Sequence, residues 1–125
     1  MTRKFFKCKK CGNIVTLLHN SGVPVSCCGE PMTELIAGTS DGAAEKHVPA
    51  VEIEGNKVTV KVGSVAHPML PEHHIEFVWL ETEKGEQVKH LEAGMAPEAT
   101  FTIADDDKFV AAYEYCNLHG LWKAE

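Results

Sequence analysis

The placement of five cysteines constrains this chain more than any other feature. Four lie near the start, as Cys8-x2-Cys11 and the adjacent pair Cys27-Cys28, and the fifth stands near the other end in Cys116-x2-His119. No thiol is left over from these two groups. The pattern favours metal or redox chemistry over disulfide staples, because C-x2-C is the usual first half of a tetrahedral thiolate site. The second half departs from that pattern. Adjacent side chains point in different directions, so Cys27 and Cys28 reach one metal only with a distorted geometry. Four thiolates suit iron or zinc. Zinc would be structural and redox-silent; iron would add one-electron transfer. The motif leaves that choice open, and it leaves disulfides to other partners open too.

Around these cysteines, residues 1–37 read as a self-contained knuckle. Strands are expected at Ile14–His19 and Val23–Val25, either side of Asn20-Ser21-Gly22, and at Met32–Ile36. Such a piece has almost no core, so metal, a partner domain or dimerisation must hold it. Within the second domain, 38–125, residues 38–46 read as a linker with room for one helical turn. The rest reads as strands. Val51 and Ile53, then Val58, Val60 and Val62, alternate around the Gly55-Asn56 turn and predict a hairpin. Ile75, Phe77 and Trp79 alternate with Glu76, Val78 and Leu80. Further strands fit Gln87–Glu92, Thr100–Ala104 and Phe109–Tyr115. Several strands at short spacing with no long helix predict an all-β chain with a β-sandwich.

Charge narrows the function. The chain has 125 residues and a formal charge of −6, and generic nucleic-acid binding prefers a basic surface. No apolar run is long enough to span a membrane, and no apolar signal core precedes Cys8, so a cytoplasmic protein is expected. The one basic cluster, Arg3, Lys4, Lys7, Lys9 and Lys10, surrounds the first cysteines. It serves solubility, compensates a thiolate-rich centre, or forms a docking patch.

Four histidines, His47, His67, His73 and His119, fall at expected loops or strand edges. Any one alone reads as a surface residue. Together with Cys116, at the end of the expected last strand, they make five candidate ligands. Neutral imidazoles plus one thiolate suit a mid-row redox metal such as iron. Five ligands leave the sixth octahedral position to a small molecule.

The chain resembles the desulfoferrodoxin family, the two-iron superoxide reductases, over essentially its full length. The residues that carry the resemblance are Cys8-x2-Cys11, Cys27-Cys28, Glu45-Lys46-His47-Val48-Pro49, Ala66-His67-Pro68-Met69, His73 and Cys116-Asn117-Leu118-His119-Gly120-Leu121-Trp122. The resemblance implies a desulforedoxin-like (rubredoxin-like) knuckle followed by an immunoglobulin-like sandwich, and two Fe per subunit. Cys8, Cys11, Cys27 and Cys28 would hold one iron. His47, His67, His73 and His119 would be equatorial ligands of the other, with Cys116 axial; His119 would bind through Nδ1 and the others through Nε2. The implied reaction is one-electron reduction of superoxide to hydrogen peroxide. Lys46 would draw the anion in, and Glu45 would cap the oxidised site. A rubredoxin-like donor and a homodimer are implied as well. The competing expectations are a two-iron electron carrier with a saturated second centre, and a zinc-stabilised binding module.

Overall fold

The computed structural model describes residues 3–38 and 44–125, with the backbone but not the side chain of Glu45. The chain divides into two compact units, Met1–Ile36 and Ala37–Glu125.

The described strands of the first unit are β1 (Phe5–Lys7), β2 (Ile14–Thr16), β3 (Ser26–Cys27), β4 (Glu30–Pro31) and β5 (Thr33–Leu35). β1 lies between β2 and β5, antiparallel to both, and β3 and β4 form a separate tight hairpin. Among the described residues of this unit only Phe5 and Cys8 are buried. That sparse core explains why the strands are shorter than their apolar patterns predict. β2 stops at Thr16 instead of reaching His19, and Val23–Val25 lies outside any strand. Leu18 and Val23 are 91% and 72% exposed, so they have no packing surface that would extend a strand to them.

The second unit opens with a single helical turn, α1 (Ala44–His47). It continues through β6 (Pro49–Glu54), β7 (Lys57–Val62), β8 (Ile75–Thr82), β9 (Glu86–His90), β10 (Glu98–Thr102), β11 (Phe109–Cys116) and β12 (Gly120–Ala124). Two antiparallel sheets result, of strand order β10-β7-β6 and β12-β11-β8-β9. Their facing sides supply one core: Val58, Val60 and Val62 of β7 and Phe101 of β10 pack with Ile75, Val78 and Leu80 of β8 and Ala112 and Cys116 of β11. The period-two pattern of β7 decides which side faces in, since Lys57 and Lys61 point to solvent. Gly55, with φ of 59°, supplies the left-handed turn residue that joins β6 to β7 in register. Two sheet edges meet without backbone pairing. The side chains of Gln87 and Lys89 on β9 donate to the carbonyls of Thr102 and Thr100 on β10, which occupies acceptors on an otherwise open edge.

Two features depart from the sequence reading. Ile75 and Val78 both enter the core although strict alternation puts them on opposite faces. The cause is a β-bulge: Cys116 and Tyr115 pair with Ile75 and Phe77, leaving Glu76 as the extra residue. The chain also continues past the expected last strand. β12 pairs with β11 through Cys116↔Gly120, so Cys116 and His119 sit on a hairpin rather than at a strand's free end.

Candidate metal centres

The bulge and the hairpin bring the second group of donors together. Cys116 is the last residue of β11, fully buried, and pairs with both Ile75 and Gly120. Residues 117–119 form a three-residue loop, closed by Gly120 at φ 78°. This loop length needs a left-handed residue at its end, which glycine adopts without a Cβ clash. The C-x2-H spacing is therefore the spacing of a hairpin, and it turns His119 back beside Cys116, with Nδ1 3.9 Å from Sγ. His47 ends α1, His67 lies in the loop after β7, and His73 precedes β8 in a small bridge in which Leu70 and His73 exchange two backbone hydrogen bonds.

The four imidazoles form a closed four-sided ring. Successive centroids, His47 to His67, His73, His119 and back to His47, lie 4.6, 4.7, 5.0 and 4.8 Å apart, with ring planes 74° to 86° from one another. One donor atom from each histidine and Sγ of Cys116 all fall within 4.8 Å of one another. His47 and His67 are buried, whereas His73 and His119 are partly exposed. The inward-facing nitrogens crowd one space. His67 donates Nδ1–H to the Pro68 carbonyl at 2.7 Å, which leaves its Nε2 as an acceptor, 3.0 Å from Nε2 of His47. Nδ1 of His119 stands 3.1 Å from that same His47 atom, and Nε2 of His73 is buried with no partner among the described residues. Several lone pairs aimed at one space, one of them orphaned, fit a shared cation.

Burial shapes the protonation of these groups. It pushes His67 down to about 4, against the opposing hydrogen bond to Pro68, and it lowers His73, helped by the charges of His119 and Lys46. Both shifts favour the neutral form that binds metal. Burial raises Cys116, while backbone N–H groups of His119 and Leu118 pull it back down. Glu114, also fully buried, has neither oxygen partnered among the described residues, and burial pushes it up to about 9.

The first unit gathers Cys8, Cys11, Cys27 and Cys28, again with all sulfurs within 4.8 Å. Adjacent cysteines converge because Cys28 adopts a left-handed backbone, φ 52°, followed by Gly29 at φ 78°. A non-glycine residue there is strained by its Cβ. Sγ of Cys11 lies 3.6 Å from Sγ of Cys27, and the Cys11 backbone N–H meets Cys8 Sγ at 3.4 Å. That N–H and the one of Lys10 push Cys8 down to about 6, whereas crowding by the Cys11, Cys8 and Cys27 thiols pushes Cys28 up to about 12. Four thiols contesting one space fit a thiophilic cation.

Of the residues singled out from sequence, all nine metal candidates fall into these two clusters. Lys46 is exposed on α1, and the side chain of Glu45 lies outside the described residues. Sequence reasoning quoted Trp122 only as part of the last motif and gave it no role. Its indole stacks on His47 at 5.0 Å, and its Nε1–H donates to the His119 carbonyl at 3.0 Å. The usable signal was the need of a buried indole N–H for a partner.

A thiolate knuckle and an immunoglobulin-like sandwich carrying an imidazole-thiolate cluster define a class of protein with two dissimilar sets of candidate metal ligands. Family models described as desulfoferrodoxin and desulfoferrodoxin N-terminal domain match residues 39–125 and 2–35. The desulfoferrodoxin of Nitratidesulfovibrio vulgaris is 53% identical over 98% of this chain and 95% of its own length. The crystal structure of the superoxide reductase from Treponema pallidum is 45% identical with a TM-score of 0.85, covering 100% of both chains. A one-iron superoxide reductase from Giardia intestinalis covers 64% of this chain and 95% of its own, at 34% identity and a TM-score of 0.56. The chain belongs to the desulfoferrodoxin family.

Proposed function

We propose that this chain is a superoxide reductase, which takes superoxide to hydrogen peroxide with one electron and two protons and releases no dioxygen. The observation that carries this reading is the closed ring of four imidazoles with a buried sulfur as fifth donor. His47, His67, His73, His119 and Cys116 would hold one iron, and Cys8, Cys11, Cys27 and Cys28 a second, one in each unit. Bound among the five donors, ferrous iron supplies the single electron that superoxide takes.

The chain supplies the rest. Five protein donors leave one octahedral position for a small anion. Lys46 precedes His47 on α1, and its positive charge acts on His73, so it would favour an approaching anion locally although the whole chain carries −6. Hydrogen bonds from the His119 and Leu118 backbone hold the Cys116 sulfur in place and temper its basicity. Glu45, next to Lys46, would take the role that family membership suggests: a carboxylate that would cap the iron in the oxidised protein and give way to substrate. Four thiolates would leave the first iron no position for substrate, so its role would be to relay or store electrons or to hold its sparsely cored unit together. A rubredoxin-like donor, a homodimer and a cytoplasmic setting complete the reading.

The test is the stoichiometry of the reaction in iron-loaded protein. One peroxide per superoxide consumed, with no dioxygen released, is expected; dismutation would yield half the peroxide and release dioxygen. A centre that binds neither azide nor cyanide, or a colourless protein holding only zinc, overturns the proposal.

A further inference from the structure

Asn117, between Cys116 and His119, does not use the property that commonly selects asparagine in a loop. That property is tolerance of a left-handed backbone. Among described residues other than glycine, Cys28 alone has a positive φ, and the left-handed position of this loop belongs to Gly120. The Asn117 carboxamide is engaged elsewhere. Its Oδ1 accepts the His74 backbone N–H at 2.9 Å, and its Nδ2 donates to the Glu72 carbonyl at 3.0 Å. Its own backbone N–H reaches the His74 carbonyl at 3.2 Å. The two side-chain bonds grip the backbone on either side of His73. They lie where the bulge at Glu76 has interrupted the regular ladder between β8 and β11.

We propose that Asn117 is a positioning residue that fixes His73 relative to Cys116, and so sets the geometry between an imidazole donor and the sulfur donor of the same site. The residue covalently joined to Cys116 is the one that clamps the His73 loop. No other side chain does both jobs among the described hydrogen bonds. His73 is only partly buried, so its placement rests on backbone bonds: the two it exchanges with Leu70 and the two that the Asn117 side chain makes to its neighbours. Groups that orient metal ligands are worth roughly 10–100-fold in metal affinity. The inference rests on the superoxide reductase reading for the identity of the metal, and on the observed hydrogen bonds for the clamp.

The experiment uses full-length, iron-loaded protein and three variants. Asn117→Ala removes both side-chain bonds. Asn117→Asp keeps the acceptor for His74 but sets an anionic oxygen against the Glu72 carbonyl. Asn56→Ala is the control, since Asn56 makes a like clamp, 2.9 Å to the Ile103 carbonyl, away from the site. Two readouts are taken: the energy of the thiolate-to-iron charge-transfer band of the His-Cys centre, and the rate of iron loss to a chelator. Both Asn117 variants should shift the band and release that iron roughly tenfold faster or more, with the four-cysteine spectrum unchanged; Asn56→Ala should lower thermal stability and leave the band in place. An unmoved band in Asn117→Ala, with iron release within about twofold of the parent, overturns the proposal. Should the alanine variant not fold, the aspartate variant is judged by the same two readouts. A parent protein that turns over no superoxide, alongside a shifted band in the variants, defeats the functional reading and leaves the clamp standing.

Discussion

His67 shows what burial does to a metal donor. The residue is 3% exposed, and its pKa falls from the ordinary 6.5 to about 4 because imidazolium is poorly solvated there. Between those two values an unfolded chain takes up a proton that the folded chain refuses. Folded stability from this group is therefore present above pH 6.5 and lost as pH falls toward 4. Metal binding follows the same sign, because the neutral ring is the ligand form. The His67 ring should thus stay neutral through pH 6.5 and take up a proton only as pH approaches about 4. An NMR titration of the His67 ring in metal-free protein checks this; a midpoint at or above pH 6.5 would count against it. The donor types were legible in the sequence, since C-x2-H marks the sulfur and the four histidines gain meaning beside it, although each alone reads as a surface residue. Their closed-ring arrangement was not, because it depends on how α1, two loops and a hairpin converge. The left-handed backbone of Cys28 was equally hidden: adjacency showed that the pair must distort, and the backbone angle shows where.

At the level of elements, β7 could be read directly, because valines at every second position separate a buried face from lysines and threonine. The bulge at Glu76 could not, since a bulge belongs to the pairing of two strands and leaves no mark in either alone. β12 escaped notice for a related reason. Five residues beginning with glycine carry little pattern, and the strand exists because β11 offers it an edge. β11 itself carries an unusual burden in Glu114, placed between Val78 and Trp122 in the sheet. Burial raises its pKa from 4.5 to about 9, so the folded chain keeps a proton that the unfolded chain gives up in that window. Stability from this group is full below 4.5 and is lost as pH rises toward 9. Glu114→Gln removes the titration. The variant should gain on its parent by up to about 1.4 kcal/mol per pH unit between the two values, measured by denaturant unfolding at about pH 6 and about pH 8. A difference that stays constant over that range contradicts a neutral, buried Glu114.

Across the whole molecule, charge is divided as sharply as structure. The first unit holds five basic and two acidic residues, the second seven and sixteen. Each unit also has a complete donor set of its own, which predicts that the centres load independently. Cys11→Ser, at an exposed thiol, should remove the colour of the four-cysteine centre and leave superoxide consumption within about twofold, since no donor of the other cluster changes. Parallel iron analysis and rate measurement check it, and a matching loss at both centres would show them coupled. The uneven charge also sets how superoxide arrives. An anion approaching a chain of net charge −6 is repelled at long range, yet within a Debye length, about 8 Å at physiological salt, local groups govern the field. Lys46 is exposed one residue before His47, and its charge acts on His73. Removing it should leave the long-range repulsion unopposed. Lys46→Ala should therefore lower the second-order rate with superoxide by up to about tenfold at low salt without lowering iron content. Added salt should now speed the variant, because it screens repulsion, whereas the parent should slow or stay level. Stopped-flow or pulse-radiolysis rates at several ionic strengths separate the two. If parent and variant share one rate and one salt slope, Lys46 plays no part in the encounter.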